Sequence, residues 1–243
     1  MSLRSLLIFI CIFSLISCAQ KEPEYVSKDL KDPYKLYEEG LTAFEENNFF
    51  FANKKFIDAE LNFDNPKFAA KAAIMSSFSL YAINFYIQAL ESLQRYLKNY
   101  PADQNVIYAH YLEAIIFFEQ MDDERKDLKP LLKASEKIEF FLKKYPDSDY
   151  STDLKFKKDL IQNQLAAKEL YIARYYISVK KWVPAINRLK NILYKYEKTV
   201  FVEEALHRLV EINYYLGMDD EARTYAKILG YNYNSSEWYQ KSY

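Results

Sequence analysis

Apolar and polar positions along this chain follow a helical period. Five stretches share one spacing: an alanine, then packing positions four and seven residues on, then an aromatic at eleven. They are Ala52-Phe56-Ala59-Phe63, Ala89-Leu93-Tyr96-Tyr100, Ala134-Ile138-Phe141-Tyr145, Ala185-Leu189-Ile192-Tyr196 and Ala222-Ala226-Leu229-Tyr233. Steps of four, three and four return to one face of a 3.6-residue helix, so each stretch predicts an amphipathic helix with a small residue near its start. Two end in a helix-stop signal, Tyr100-Pro101 and Tyr145-Pro146. A further helix is predicted before each. Tyr34 to Asn47 precedes the first, with Gly40 where a helix pair would pack closely, and Phe68 to Asn84 the second. Val106 to Gln120 precedes the third and Val200 to Leu216 the fifth. Before the fourth lies a longer helix, about Tyr150 to Val179. Its Leu154, Ile161, Leu165, Ile172 and Tyr176 are spaced to hold one stripe throughout. The charged segment Met121 to Lys129 reads as a loop.

The alanines recur after 37, 45, 51 and 37 residues. A tetratricopeptide repeat has a period of about 34, with small residues at close-packing points and proline after its second helix. The expected fold is therefore all-α, a superhelical solenoid of about five such helix pairs spanning 33–233, with a C-terminal tail at 234–243. One pair cannot bury its apolar face alone, so neighbours stack and create a groove suited to extended peptides or partner domains.

The first residues read as an address. One positive charge in Met1 to Arg4 precedes Leu6 to Ile16, an apolar run too short to cross a bilayer and matching a secretory signal. The run ends Leu15-Ile16-Ser17-Cys18, which resembles a bacterial lipobox, although Ile16 is larger than usual there. The resemblance implies a signal peptide at 1–17, lipidation of Cys18, and a polar tether within 18–32. Several acyl chains would anchor the chain durably. Ala19, not aspartate, follows the cysteine, which in enteric-type sorting implies the outer membrane. The other reading is an ordinary cleaved signal with an incidental cysteine.

Composition narrows the chemistry. The formal net charge is −1, which disfavours a nucleic-acid partner. Three glycines leave no room for a phosphate-binding loop and argue against a many-stranded fold. Both cysteines, Cys11 and Cys18, lie in the first 18 residues, so no disulfide is expected in the mature chain. His110 and His207 are far apart and read as packing or surface residues rather than bases. No metal-ligand spacing occurs and no cofactor is expected. Aromatics reach 17%, most of them core.

Several motifs in order resemble the BamD family of outer-membrane lipoproteins. The stretch 145–153, Tyr-Pro-Asp-Ser-Asp-Tyr-Ser-Thr-Asp, looks like that family's Y-P-x-S-x-Y-[ST]-x-D junction. Ile172-Ala173-Arg174-Tyr175-Tyr176 resembles its A-x-Y-Y segment, and 181–189 its W-x-A-x-x-N-R turn and helix. Asn105-Val106-Ile107-Tyr108-Ala109 is similar to a further family stretch. The resemblance implies a non-enzymatic component of the outer-membrane β-barrel assembly complex, lipid-anchored on the periplasmic face. Its implied partners are a BamA-like barrel protein, the other Bam lipoproteins and unfolded outer-membrane β-barrel precursors. By position, Arg188 is the candidate contact to BamA, and Arg95, Lys98 and Tyr176 are candidates for a substrate groove. Each has a plainer reading: Arg188 a surface arginine, Arg95 and Lys98 a solvated basic face, Tyr176 core. A structural tetratricopeptide lipoprotein of the envelope or division machinery would share the lipobox and repeats, but not the N-R turn and Y-P-x-S-x-Y junction.

Overall fold

A computed structural model describes residues 32–121 and 127–242. Cys18, the signal segment and the middle of the predicted charged loop lie outside the described residues. Among the described residues there are eleven α-helices and no strands. They form five pairs and one extra helix: α1 (Pro33–Glu45) with α2 (Phe49–Asn62), α3 (Pro66–Ala82) with α4 (Tyr86–Asn99), α5 (Val106–Glu119) with α6 (Lys129–Lys144), α7 (Ser151–Ser178) with α8 (Trp182–Lys195), α9 (Val202–Tyr215) with α10 (Asp219–Asn232), and α11 (Glu237–Lys241). Each helix packs on its sequence neighbours, in the manner of a tetratricopeptide solenoid.

The alanine register is the packing register. Ala52, Ala89, Ala134 and Ala185 are 0% exposed, as are the residues four and seven further on in all four repeats. The fifth repeat is looser, with Ala222 and Leu229 buried but Ala226 only half-buried. Gly40 sits against the buried ring of Phe56. A Cβ there would stand 2.7 Å from Phe56 Cε1, so the first pair closes only because position 40 has no side chain. The aromatic at eleven ends the helix and packs, half-buried, against the edge of the core. Phe63, Tyr100, Tyr145, Tyr196 and Tyr233 are the C-cap residues of the second helices. Each cap N–H donates to the carbonyl four residues back.

Within a pair, one turn recurs. Asn47, Asn84, Lys180 and Gly217 have φ of 59°, 61°, 55° and 74°. The amide following each donates to a carbonyl five residues back: Asn48 to Ala43, Phe85 to Leu80, Lys181 to Tyr176, Met218 to Asn213. That is the Schellman closure, which satisfies carbonyls a helix end would otherwise leave open. In the third repeat the residues that follow Met121 lie outside the described residues.

Two expectations change. The stripe of α7 does not hold throughout: Leu154 and Ile161 are fully buried, but farther along Ala166, Leu170 and Ala173 are, while Leu165, Ile172 and Tyr176 are half-buried. The first half of α7 packs in the core of the third repeat and the second half in that of the fourth and fifth, so its buried face shifts between two sets of neighbours. The stretch expected as a tail carries α11, which packs on α9 and α10. His207, 3% exposed, meets Ser242 Oγ through Nδ1 at 2.7 Å and lies 5.2 Å from the Trp238 ring. Tyr239 packs against Gly230.

A larger side chain at Ala89 has nowhere to go. Ala89→Leu should cost about 1–3 kcal/mol in urea unfolding, whereas Lys155→Leu, on an exposed position of α7, should stay within about 0.5 kcal/mol. The docking of α11 should respond to pH. Burial, the largest influence, holds the His207 imidazole below its ordinary value, and Arg208 and Lys241 add to this against the opposing Glu211 and Glu204. The unfolded chain therefore takes up this proton first as pH falls. The stability carried by neutral His207 is full above about 6.5 and declines below it. Urea midpoints between pH 7.5 and 5.5 should fall in the parent and fall less in His207→Gln.

Candidate functional surfaces

The first helices of repeats one to three line a cavity of about 470 Å³. Phe44 comes from α1, Lys67, Phe68, Lys71, Ile74, Met75 and Phe78 from α3, and Tyr108 from α5. Residues 67, 71, 74, 75 and 78 occupy one helical face, because their spacing follows the 3.6-residue turn. The rings make a chain across the repeats: Phe44 to Phe78 at 5.6 Å, Phe78 to Tyr108 at 6.3 Å, and Tyr108 to Tyr150 at 5.8 Å. Burial pushes the Tyr108 phenol up to about 12, with Tyr150 and Tyr81 adding to it, so it stays neutral. Lys67 and Lys71 are exposed, and Lys71 Nζ stands 5.3 Å from the Tyr37 ring. Asp103, Gln104 and Asn105, between α4 and α5, complete the lining with one negative charge against the two lysines. Apolar rings beside this net positive edge suit an aromatic residue next to a carboxylate.

Of the groove candidates, Arg95 and Lys98 do not line this cavity. Both lie on α4, a second helix. Arg95 Nη1 donates to both oxygens of Glu60 on α2 at 2.5 and 2.6 Å, and Tyr100 donates to the same carboxylate at 3.1 Å. Glu60 is 7% exposed, so Arg95 neutralises a buried charge between two repeats. Lys98 is exposed in the last turn of α4, where a cation favours the helix dipole. Tyr176 is half-buried and packs against the core of the fourth and fifth repeats, 5.7 Å from the more exposed Tyr175. Sequence reasoning misses Lys67, Lys71 and the phenylalanines. The available signal is the 67–71–74–75–78 spacing, masked because α3 also buries Ala69, Ala70, Ala72 and Ala73 on its other faces.

Arg188 lies three residues after its repeat's alanine. Its Nη1 donates to Glu169 Oε1 and Oε2 on α7 at 3.1 and 3.3 Å, and Asn191 donates to Glu169 Oε2 at 3.2 Å. The same register carries a tie between the two helices in three other repeats. Lys55 pairs with Glu39, Ser92 accepts from Ser77 at 2.8 Å, and Lys137 pairs with Glu113 at 2.9 Å. Burial of Glu113 pushes its carboxyl up, but His110 and Lys137 beside it outweigh that and hold it below the ordinary value. A lysine makes such a tie through one nitrogen, and its other N–H groups radiate from that same point without arginine's planar fork. Arg188 spends Nη1 alone, and its side chain is 39% exposed. Its Nε and Nη2 make no hydrogen bond among the described residues.

The two histidines stand in packing positions. His110 sits edge-on to Phe140 at 5.0 Å, and His207 lies under α11. Among the described residues no three His, Cys, Asp or Glu side chains gather to hold a metal. No helix among them is long and apolar enough to cross a membrane.

The model of the YfiO family, described as "Outer membrane lipoprotein", matches residues 29–228. A Rickettsia prowazekii protein named outer membrane protein assembly factor BamD is 31% identical over 246 residues, covering 100% of this chain and 97% of its own length. The protein of that name from Caulobacter vibrioides is 30% identical, over 95% of this chain and 76% of its own. That from Xylella fastidiosa strain Temecula1 is 24% identical, over 96% and 83%. With motif order, helix-pair architecture and near full-length similarity in agreement, the chain belongs to the YfiO outer-membrane lipoprotein family, of which BamD is the named assembly factor.

Proposed function

We propose that this chain is a non-enzymatic factor in the assembly of outer-membrane β-barrel proteins. It is anchored by lipid at Cys18 on the periplasmic face of the outer membrane. It docks on a BamA-like barrel subunit through its C-terminal repeats, alongside other Bam lipoproteins. The groove lined by α1, α3 and α5 receives aromatic-ended segments of unfolded barrel precursors. Phe44, Phe68, Phe78 and Tyr108 take apolar side chains there, and Lys67 or Lys71 takes a carboxylate. Arg95 acts in this reading by holding the first two repeats together, and Tyr176 by packing.

One observation carries the docking assignment. The first, third and fourth repeats place a cation at the same register against a first-helix glutamate, and of these three cations only that of the fourth repeat, Arg188, is an arginine with donors left over. A planar guanidinium can tie its own repeat with one nitrogen and meet a second carboxylate with the others, which an ammonium cannot do in the same geometry.

Arg188→Lys separates the tie from the docking contact. The lysine can keep the Glu169 tie, as Lys55 and Lys137 do in their repeats. Folding should therefore be unchanged by circular dichroism and thermal melt. Losing hydrogen-bonded charge contacts at an interface costs about 2–5 kcal/mol, so co-purification of the barrel subunit from detergent-solubilised membranes should drop at least about tenfold. Wild-type recovery of the barrel with a folded Arg188→Lys would sink the assignment and favour a structural scaffold of the envelope. Reversing the charge is a poorer probe, because Arg188→Glu sets two carboxylates against each other at Glu169.

The anchor has its own test. The mature protein should begin at acylated Cys18, and Cys18→Ala should leave the chain unprocessed or released from membranes. An unmodified N-terminus downstream of Cys18, read by mass spectrometry, would overturn it.

A further inference from the structure

We infer that Glu169 is a positioning residue for the docking contact: it holds the Arg188 guanidinium by Nη1 and so presents the remaining N–H groups to the partner's carboxylate. The inference rests on the docking assignment above and adds a residue to it.

Glu169 is itself fixed. Its carboxylate accepts from Arg188 and, at 3.2 Å, from Asn191, one helical turn farther along α8. Its side chain is 17% exposed against 39% for Arg188, so the carboxylate forms the base of the pair and the guanidinium its outer part. The neighbouring Tyr196 phenol is raised by burial first and by Glu169 second, so no further negative charge develops there at neutral pH. Arg188 and Asn191, from the middle of α8 onward, thus hold one carboxylate of α7 between them.

Two opposite effects on docking are possible in principle, and their sizes decide between them. As a competitor, Glu169 would draw the guanidinium away from a partner carboxylate. That effect is small, because a partly exposed ion pair is weakened by solvent, and because only Nη1 is engaged. As a support, Glu169 removes conformers from a long side chain before the partner arrives. The entropy of fixing such a side chain is a main cost of binding, and advance ordering reduces it. Support therefore outweighs competition.

The test is a double-mutant cycle on the full chain, with affinity for the detergent-solubilised BamA-like barrel as the readout. Glu169→Gln should weaken binding by about two- to tenfold, the range expected for losing the order of one side chain. In an Arg188→Gln background the same change should have no further effect, because there is no guanidinium left to hold. Glu39→Gln, which removes the corresponding charge in the first repeat, should leave affinity unchanged and so controls for a general loosening of the helix pairs. Unchanged or tighter binding by Glu169→Gln, with Arg188→Lys still impaired, would overturn the positioning role alone. Wild-type binding by Arg188→Lys would remove both the docking assignment and this role. Equal weakening by Glu39→Gln and Glu169→Gln would mark both glutamates as structural ties only.

Discussion

The fold depends on close approach of helices at small residues. An alanine near the start of each second helix is buried, and fully so in the first four repeats. Gly40 takes the same idea further, with the Phe56 ring in the space a side chain would fill. Interiors packed this tightly have no slack for an added methylene. The buried residues four and seven positions on follow from the alanine, since they share its helical face, and the solenoid grows by repeating that contact.

Close approach also brings polar groups of the two helices within reach of each other. The position three residues after the alanine lies at the rim of the buried stripe. There the chain places Lys55, Ser92, Lys137 and Arg188 in successive repeats, each meeting a first-helix partner. A rim position suits an amphipathic side chain, whose stem packs while its head stays polar. The repeats therefore share a structural device, and a residue with surplus donors can take on a second role without giving up the first.

The two ends of the solenoid are treated differently. At the N-terminal end the first helices open onto an aromatic groove with exposed lysines. At the C-terminal end α11 folds back on α9 and α10, and His207 is buried beneath it. A solenoid must cover its last apolar face, and a short helix carrying Trp238 and Tyr239 does so. Between the ends, α7 belongs to two cores at once, which is why its buried face changes along its length.

The helix pairs, their register and their number are legible in the amino-acid order, because spacing along one chain fixes which residues share a helical face. Ala89, Leu93 and Tyr96 read as one buried row from their spacing, and all three are fully buried. Arg188 is likewise marked by its motif. How the faces meet is not written locally. Arg95 reads as a free cation along the chain, but Glu60 lies 35 residues earlier and only helix stacking brings them together. The lysines and rings of the groove come from three first helices, and their row on α3 is hidden among alanines that pack in other directions. The last ten residues carry too short a pattern to announce a helix, and α11 exists because α9 and α10 offer it an apolar surface. Local spacing is a property of the chain; pairing of distant faces is a property of the packed solenoid, and the Glu169–Arg188 tie arises there.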